Sequence, residues 1–575
     1  MQTATGACAP SRFNSPLTSR LTARAALKAR TPLLALTLLA ASVSAYAQQF
    51  PFEGESPFFP GLLVVSRSVY DNLSGNVQPG TILPPNCANT TGGCSAATGA
   101  TNDGTYPYVW NNVLYDANFG VTSRIYLDQL TPSGAIVSSL EVPNSLHQGN
   151  AQGQLVTSFS SKSELALHLS TDGRYLSFVG YVAPVNALDV SNANTPGVVD
   201  PTNPDGQNFY RGIALVDRAG HFRFTETNAY SGDNGRAAIL NPGNGHDGVF
   251  YTTGNAGNGA NPQPNGIIVG TGAQIVDPSK QPEAQQNPGT PTPLGSFSVT
   301  ELGAKADKIG KDDNFRGITI YNNVLYYTKG SGSNGVNTVY FLDTTGTACP
   351  SGTGVPAANA TLPTTALAYT AATLQTSGLP SNMCILAGFP STPNKSATTL
   401  AYPFGLWFAN ATTLYVADEG DGYTGGSDLF THAAAQTGAG LQKWIYNATA
   451  KKWTLAYTLQ AGLNLGTQYT VPGYPTGSNP ATGLPWAPAT DGLRSLTGRV
   501  EGDGTVTLWA ITSTVSGDGD IGADPNRLVV TRDLLKNTTA AAAAGEKFVT
   551  LRGAGFGEVL RGVSFAPGTD TNGRF

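Results

Sequence analysis

Apolar residues in this chain come in short runs, each cut off by Gly, Asn, Asp or Ser. The window DDNFRGITIYNNVLYYTKGSG (312–332) shows the unit: RGITIY (316–321) and VLYYT (324–328) are rich in β-branched and aromatic residues, the composition of strands. Asn322 and Asn323 between them form a turn of a kind that tolerates positive φ. TVYFL (338–342) follows and stops at the turn DTTG. The pattern predicts antiparallel strands A, B and C, with a strand D beyond them.

The same order returns in other letters. LALHLS, RYLSFVGY, GIALVDRAG and HFRFTET occupy 165–227, and RAAILN, GVFYTTGNAG, GIIVGTGAQIV and SFSVTEL occupy 236–302. GLWFAN, TLYVADEG, LQKWIYN and KWTLAYTL occupy 405–459, and RSLTGR, TVTLWAITS, RLVVTRD and FVTLRG occupy 494–553. The first unit, LLVVSRSVY, SRIYLDQLTPSG and AIVSSLEVP (62–143), has no A strand, and LRGVSFAPG (560–568) at the other end supplies one. Units of four strands recurring roughly every 65–100 residues predict an all-β, six-bladed β-propeller, its ring closed by the C-terminal strand completing the first blade. A seventh blade would have to hide in a long insertion. A β-solenoid or two sandwiches would leave the strand from the far end unexplained.

In a propeller strand A is innermost, so the D–A and B–C loops share one face and the A–B and C–D turns the other. The insertions 71–122, 183–207, 418–440 and 460–488 fall in D–A or B–C loops, and 346–386 is placed between C and D. Long loops on a rigid scaffold carry function, which points to the D–A/B–C face. There, four inner strands open with an acid three residues before an arginine: Asp233 and Arg236, Asp313 and Arg316, Asp491 and Arg494, Glu558 and Arg561. The ring reads either as salt bridges that pin the crossovers or as a site for a carboxylate, phosphate or sulfated sugar. The blades around Glu164 and Phe404 depart from the pattern.

Composition bounds the rest. Residues 1–47 carry a basic stretch, the apolar run PLLALTLLAASVSA and Ala45-Tyr46-Ala47, the pattern of a secretory signal peptide, so the chain is expected to be secreted or periplasmic. Residues 48–575 are then one propeller domain, because a repeat fold can use a chain this long in a single ring. Four cysteines remain beyond the leader, and Cys87–Cys94 and Cys349–Cys384 are the favoured disulfides of three possible pairings, each closing one low-complexity loop. A net charge of −5 offers no basic footprint for nucleic acid, and no later run is long enough to span a membrane.

Candidate chemistry is sparse. DEGDGYTGGSD supplies Asp418, Glu419, Asp421 and Asp428, and SGDGDIGADPN supplies Asp518, Asp520 and Asp524; either loop could hold calcium, or both could be plain hydrophilic turns. Of five histidines, His168 lies on an inner strand and is expected to be a satisfied core residue. Trp407, Trp444, Trp453 and Trp509 read as packing between blades. Tyr469, Tyr474 and Trp486 read as tacking a long loop down, or as stacking surfaces for sugars or partner proteins. No nucleophile-elbow, zincin, Walker or dinucleotide motif occurs.

The A strands that open with Gly, and B strands such as TLYVADEGDG and VLYYTKGSG, resemble those of six-bladed NHL-repeat, gluconolactonase and SMP-30 propellers over about 62–568. The patterns DGRYLSFVGY and FRGITIYNNVLYYTKGSG are also similar to those of a group of exported bacterial propellers. Two functions follow. The first is a module that binds a ligand, glycan or surface protein through its loop-bearing face. The alternative, implied by the resemblance, is a calcium-dependent lactonase- or esterase-like hydrolase with its site at the channel mouth, where Asp233, Asp313, Asp491 and Glu558 would be ligands or bases.

Overall fold

A computed structural model describes residues 57–70, 82–85, 99–101, 122–147, 153–159, 161–162, 164–185, 209–227, 229–230, 234–243, 248–255, 272–278, 314–349, 352–364, 383–479, 482–517 and 521–570. The leader, SFSVTEL, Cys87, Cys94, Asp233, Asp313, Asp518 and Asp520 lie outside the described residues.

Apart from a small ribbon of Ile82–Pro85 and Gly99–Thr101, the described strands form six sheets, the blades of a six-bladed propeller. Blade one runs outward as Glu558–Phe565, Leu63–Val69, Thr122–Leu130 and Ile136–Glu141, so the last strand of the chain is its innermost strand. The register pairs Leu63 with Phe565 and Val69 with Glu558. Blade two is His168–Leu169, Tyr175–Tyr181, Arg211–Asp217 and Phe222–Thr227. Blade three shows Gly235–Asn241, Val249–Gly254 and Ala273–Val276. Blade four is Ile318–Tyr321, Val324–Lys329, Thr338–Leu342 and Met383–Leu386, with Thr353–Gly354 added in parallel outside. Blade five is Pro403–Asn410, Thr413–Asp418, Gly440–Asn447 and Lys452–Leu459. Blade six is Ala489–Val500, Thr505–Val515, Arg527–Leu534 and Val549–Gly553.

The middle strands read as unbroken apolar runs because both of their faces are buried. Alternate side chains of a strand point to opposite faces, and here each face meets a neighbouring blade. In blade four, Leu325, Tyr327, Tyr340 and Leu342 pack toward blade three, and Val324, Tyr326, Val339 and Phe341 toward blade five. In blade six, Val506, Leu508 and Ala510 face blade five, while Trp509 and Ile511 face blade one. Every neighbouring pair of blades shares such a cluster, the sixth and first included. Each fully buried Val, Leu, Ile or Phe contributes roughly 1.5–3 kcal/mol. The four strand tryptophans lie in these seams, as the sequence suggests.

Polar groups reinforce the seam that closes the ring. Arg67 pairs with Asp128 at 2.7 Å and with Glu558 at 2.6 Å, and Arg552 of blade six reaches Asp128 at 2.6 Å. One carboxylate on blade one thus holds an arginine from each side of the closure. At the next seam, Lys443 and Asp533 pair at 2.9 Å with both side chains fully buried, and Tyr457 donates to Asp533 at 2.7 Å.

The 346–386 insertion lies between strands C and D of blade four, and Cys349–Cys384 ties it to strand D. Asn322 and Asn323 take positive φ (48° and 58°), the turn expected there. The described helix, Leu429–Ala435, lies in the B–C loop of blade five. No helix among the described residues is long and apolar enough to cross a membrane.

The closing strand makes a direct test possible. A Cβ on Gly562 would lie 2.3 Å from the Leu165 carbonyl oxygen. Gly562→Ala is expected to cost about 2–4 kcal/mol in chemical unfolding, through overpacking at a backbone that cannot yield. Gly502, in an A–B turn with open space around it, is the control, and Gly502→Ala is expected to leave stability within about 0.5 kcal/mol.

Candidate functional site at the channel mouth

Each inner strand enters the ring with the same step, a large residue followed by a small one. The pairs are Leu165–Ala166, Arg236–Ala237, Arg316–Gly317, Phe404–Gly405, Arg494–Ser495 and Arg561–Gly562. The small residue lets the strand abut the next blade: a Cβ on Gly317 would lie 2.1 Å from the Phe404 carbonyl oxygen. A hydroxyl from strand B completes the contact. Gly317 N–H donates to Thr328 Oγ1 at 2.8 Å, and that hydroxyl donates to Phe404 O. Gly562 N–H donates to Ser66 Oγ at 2.7 Å, and Ser66 donates to Leu165 O at 2.7 Å. These contacts form a waist in the channel, with the D–A/B–C face above it.

The four ring arginines are buried at that waist. Arg236 donates to Asn314 and to Phe315 O, the latter at 2.6 Å, on the entry to the next blade. Arg561 donates to Phe159 O in the crossover to blade two. Arg494 donates to Ile521 O at 2.8 Å and Arg316 to Ser331, each in the B–C loop of its own blade. The two described acids of the motif turn elsewhere. Glu558 pairs with Arg67, while Asp491 accepts from Gly422 N–H at 3.0 Å and from the Gln436 amide. Among the described contacts, neither is ion-paired with the arginine three residues on.

The centre of the mouth is a residue pair that sequence reasoning did not single out as a pair. Glu419 follows strand B of blade five, and Lys162 precedes strand A of blade two. In a ring of six these blades face each other across the axis. Lys162 Nζ lies 3.3 Å from Glu419 Oε1, Arg494 Nε 3.0 Å from Oε2, and Arg316 Nε 4.0 Å from Oε1. Burial would raise the Glu419 carboxyl, but Lys162, Arg494 and Arg316 outweigh it and hold it at about 2. Burial lowers the Lys162 ammonium to about 7; Arg316 and Arg494 add to the fall and Glu419 opposes it. The Lys162 side chain keeps 21% of its surface exposed, against 3% for Glu419.

Beside this bridge stands a second group, built by the loop DEGDG. Gly420 and Gly422 take positive φ (79° and 63°). Their N–H groups are thereby turned onto carboxylates: Gly420 donates to Asp418 at 3.1 Å and Gly422 to Asp491. Asp418 also accepts from Tyr402 N–H at 2.8 Å and from the Gln442 amide at 3.2 Å. Burial pushes Asp418 to about 7, with Glu419 and Asp491 adding to the rise against those N–H donors. Asp491 is pushed to about 7 by burial, with Asp421 and Glu419 adding and Gly422 and Gln436 opposing. His432 Nε2 lies 2.6 Å from Asp421 Oδ2, its ring stacks on Tyr423 at 4.3 Å, and Asp421 raises it above its usual value. Asp428 accepts from Tyr423 OH at 3.0 Å.

Among the described residues no three His, Cys, Asp or Glu side chains converge as metal donors. The oxygens of Asp418, Asp421 and Asp491 accept from N–H groups instead, Tyr423 N–H reaching Asp421 at 3.1 Å. No step below is routed through a metal. Asp524 is buried and accepts from Tyr474 OH at 2.6 Å and Ser516 at 3.0 Å, so it anchors the 460–488 insertion. Tyr474 and Trp486 are buried with Phe159 and Phe556, and the Arg527 guanidinium lies 3.5 Å over Tyr469. These aromatics hold the insertion down.

No family model matches the chain, and no curated protein matches it. Among solved structures, the Niastella koreensis GH74 enzyme aligns over 80% of this chain and 61% of its own, at 11% identity and a TM-score of 0.24. An ulvan lyase of the PL25 family of polysaccharide lyases aligns over 85% of this chain and 96% of its own, at 12% identity and a TM-score of 0.25. Likenesses of this size carry no argument about function.

Asp491 gives a pH test. Its carboxyl sits above its unfolded value, so the stability it contributes is full below about pH 4 and is lost as pH rises through about 7. Asp491→Asn removes that loss. The melting-temperature difference, variant minus native, is expected to grow by several degrees between about pH 5 and pH 8. A difference that stays constant would mean that Asp491 is ionised in the native state across the whole range.

Proposed function

We propose that the protein is a binding module for an acidic glycan, a uronate- or sulfate-bearing chain, held on the D–A/B–C face. The observation that carries this reading is Lys162: an amine at the centre of the mouth, paired with Glu419, flanked by Arg316 and Arg494 and still 21% exposed, whose protonated form a bound anion would favour. An anionic group above it is met by one reachable cation backed by two buried ones. The rim beside it suits a sugar. Asp421 and His432 are 24% and 37% exposed and offer directional hydrogen bonds, with the Tyr423 ring stacked against His432.

Calorimetric titration with oligogalacturonate, a sulfated oligosaccharide and neutral maltohexaose tests this reading. At least one acidic chain is expected to bind saturably, maltohexaose not at all, and Lys162→Gln to weaken binding about tenfold or more, worth about 1.4 kcal/mol. The reading is overturned if neither acidic chain binds, or if maltohexaose binds as well as they do.

A second reading is hydrolysis at the same mouth, in line with the resemblance to gluconolactonase-type propellers. It is favoured by Asp418 and Asp491, two adjacent carboxyls both held near neutrality, the condition for exchanging protons with a substrate. Release of new reducing ends or acids from bound oligosaccharide or lactone, lost in Asp491→Asn while binding persists, is the expected sign. Binding with no turnover leaves the module reading alone.

A further inference from the structure

The end of the channel below the waist differs from the mouth in carrying no charged side chain among the described residues. A cavity of about 650 Å³ runs between the inner strands of all six blades down to the A–B turns of the opposite face. That volume is ordinary for a small-molecule site. Leu167, Ile320, Leu406, Leu496 and Phe565 are among its walls, and Asn241, Asn322 and Asn323 stand at its opening. Leu362, from the insertion tied down by Cys349–Cys384, joins the rim, where Tyr251 OH donates to Pro363 O at 2.7 Å. Among the described residues no Asp, Glu, Lys or Arg lines the cavity.

One polar wall residue is left open. The sequence suggests a satisfied core histidine at 168, yet His168 Nε2 is sealed from solvent and has no hydrogen-bond partner. Burial lowers this imidazole to about 4, so the lining is uncharged at neutral pH.

We propose that the central channel is a second binding site, entered from the A–B/C–D face, for a small neutral amphiphile with an aliphatic body and one hydroxyl. The Leu, Ile and Phe side chains of the wall take the body, the asparagine rim takes the polar end, and an anion is refused because no cation meets it. The proposal stands apart from the acidic-glycan reading: it uses another face and none of the same residues.

Fluorescence titration of the full chain with N-phenyl-1-naphthylamine tests it. Saturable binding of one probe per chain is expected, displaced by 1-octanol and about tenfold less well by octanoate. Leu496→Trp, which fills the lumen, is expected to weaken probe binding at least about tenfold. Thr171→Trp, at the rim where Thr171 meets Asn241 of blade three, does the same if the first variant fails to fold. The proposal is overturned if no saturable binding occurs, if folded Leu496→Trp or Thr171→Trp binds the probe like the native chain, or if octanoate competes as well as octanol.

Discussion

The pairing of the last strand with the first is the constraint on which the molecule depends. Glu558–Phe565 lies between Leu63–Val69 and the axis, so blade one has no inner strand until the chain end returns. Without it the seam between blades six and one would expose Leu63, Val65, Trp509 and Ile511, and blade one would present an open inner edge. Arg67, Asp128, Arg552 and Glu558 add a polar lock across the same seam. Removing one partner of this largely buried group would leave the others charged and desolvated.

Closure also creates the two ends of the channel. Small residues at the waist, with Ser66 and Thr328 relaying hydrogen bonds from one blade to the next, draw the inner strands close enough to pinch it. Above the pinch, loops from opposite blades meet, and Glu419 sits among Lys162, Arg316 and Arg494. Below it the strands present apolar and uncharged polar side chains to a lumen with no charged wall among the described residues. One ring thus offers a charged environment at one end and an uncharged one at the other.

Much of the fold was legible because burial on both faces writes itself into composition. Runs such as VLYYT and TVTLWAITS have no polar alternation, as expected for strands sandwiched between blades. The strand supplied from the far terminus was legible because the first unit lacked one. The arginine positions followed from the same alignment, but their partners did not. Arg236 and Arg561 bind backbone carbonyls of the next blade, and a carbonyl leaves no mark in the sequence. Lys162 and Glu419 stand 257 positions apart, and their meeting requires knowing that blades two and five oppose each other. A count of six blades contains that information, so the bridge was reachable in principle from SKSEL and ADEGDG. The upward shift of Asp491 was not, since it depends on burial, which the sequence does not show; Gln436, at the end of a helix in another blade's loop, opposes it.

The central claim is that the terminal strand is an integral stave of the ring and not an appended flap. Native-state hydrogen exchange resolved by residue tests it most directly. The account predicts that amides along 63–69 and 559–565 exchange only through global unfolding, with the same free energy as those of 324–328 in blade four. Faster exchange of 559–565 through a local opening that leaves blade four protected would contradict it, and would make the ring an open arc with a loosely docked end.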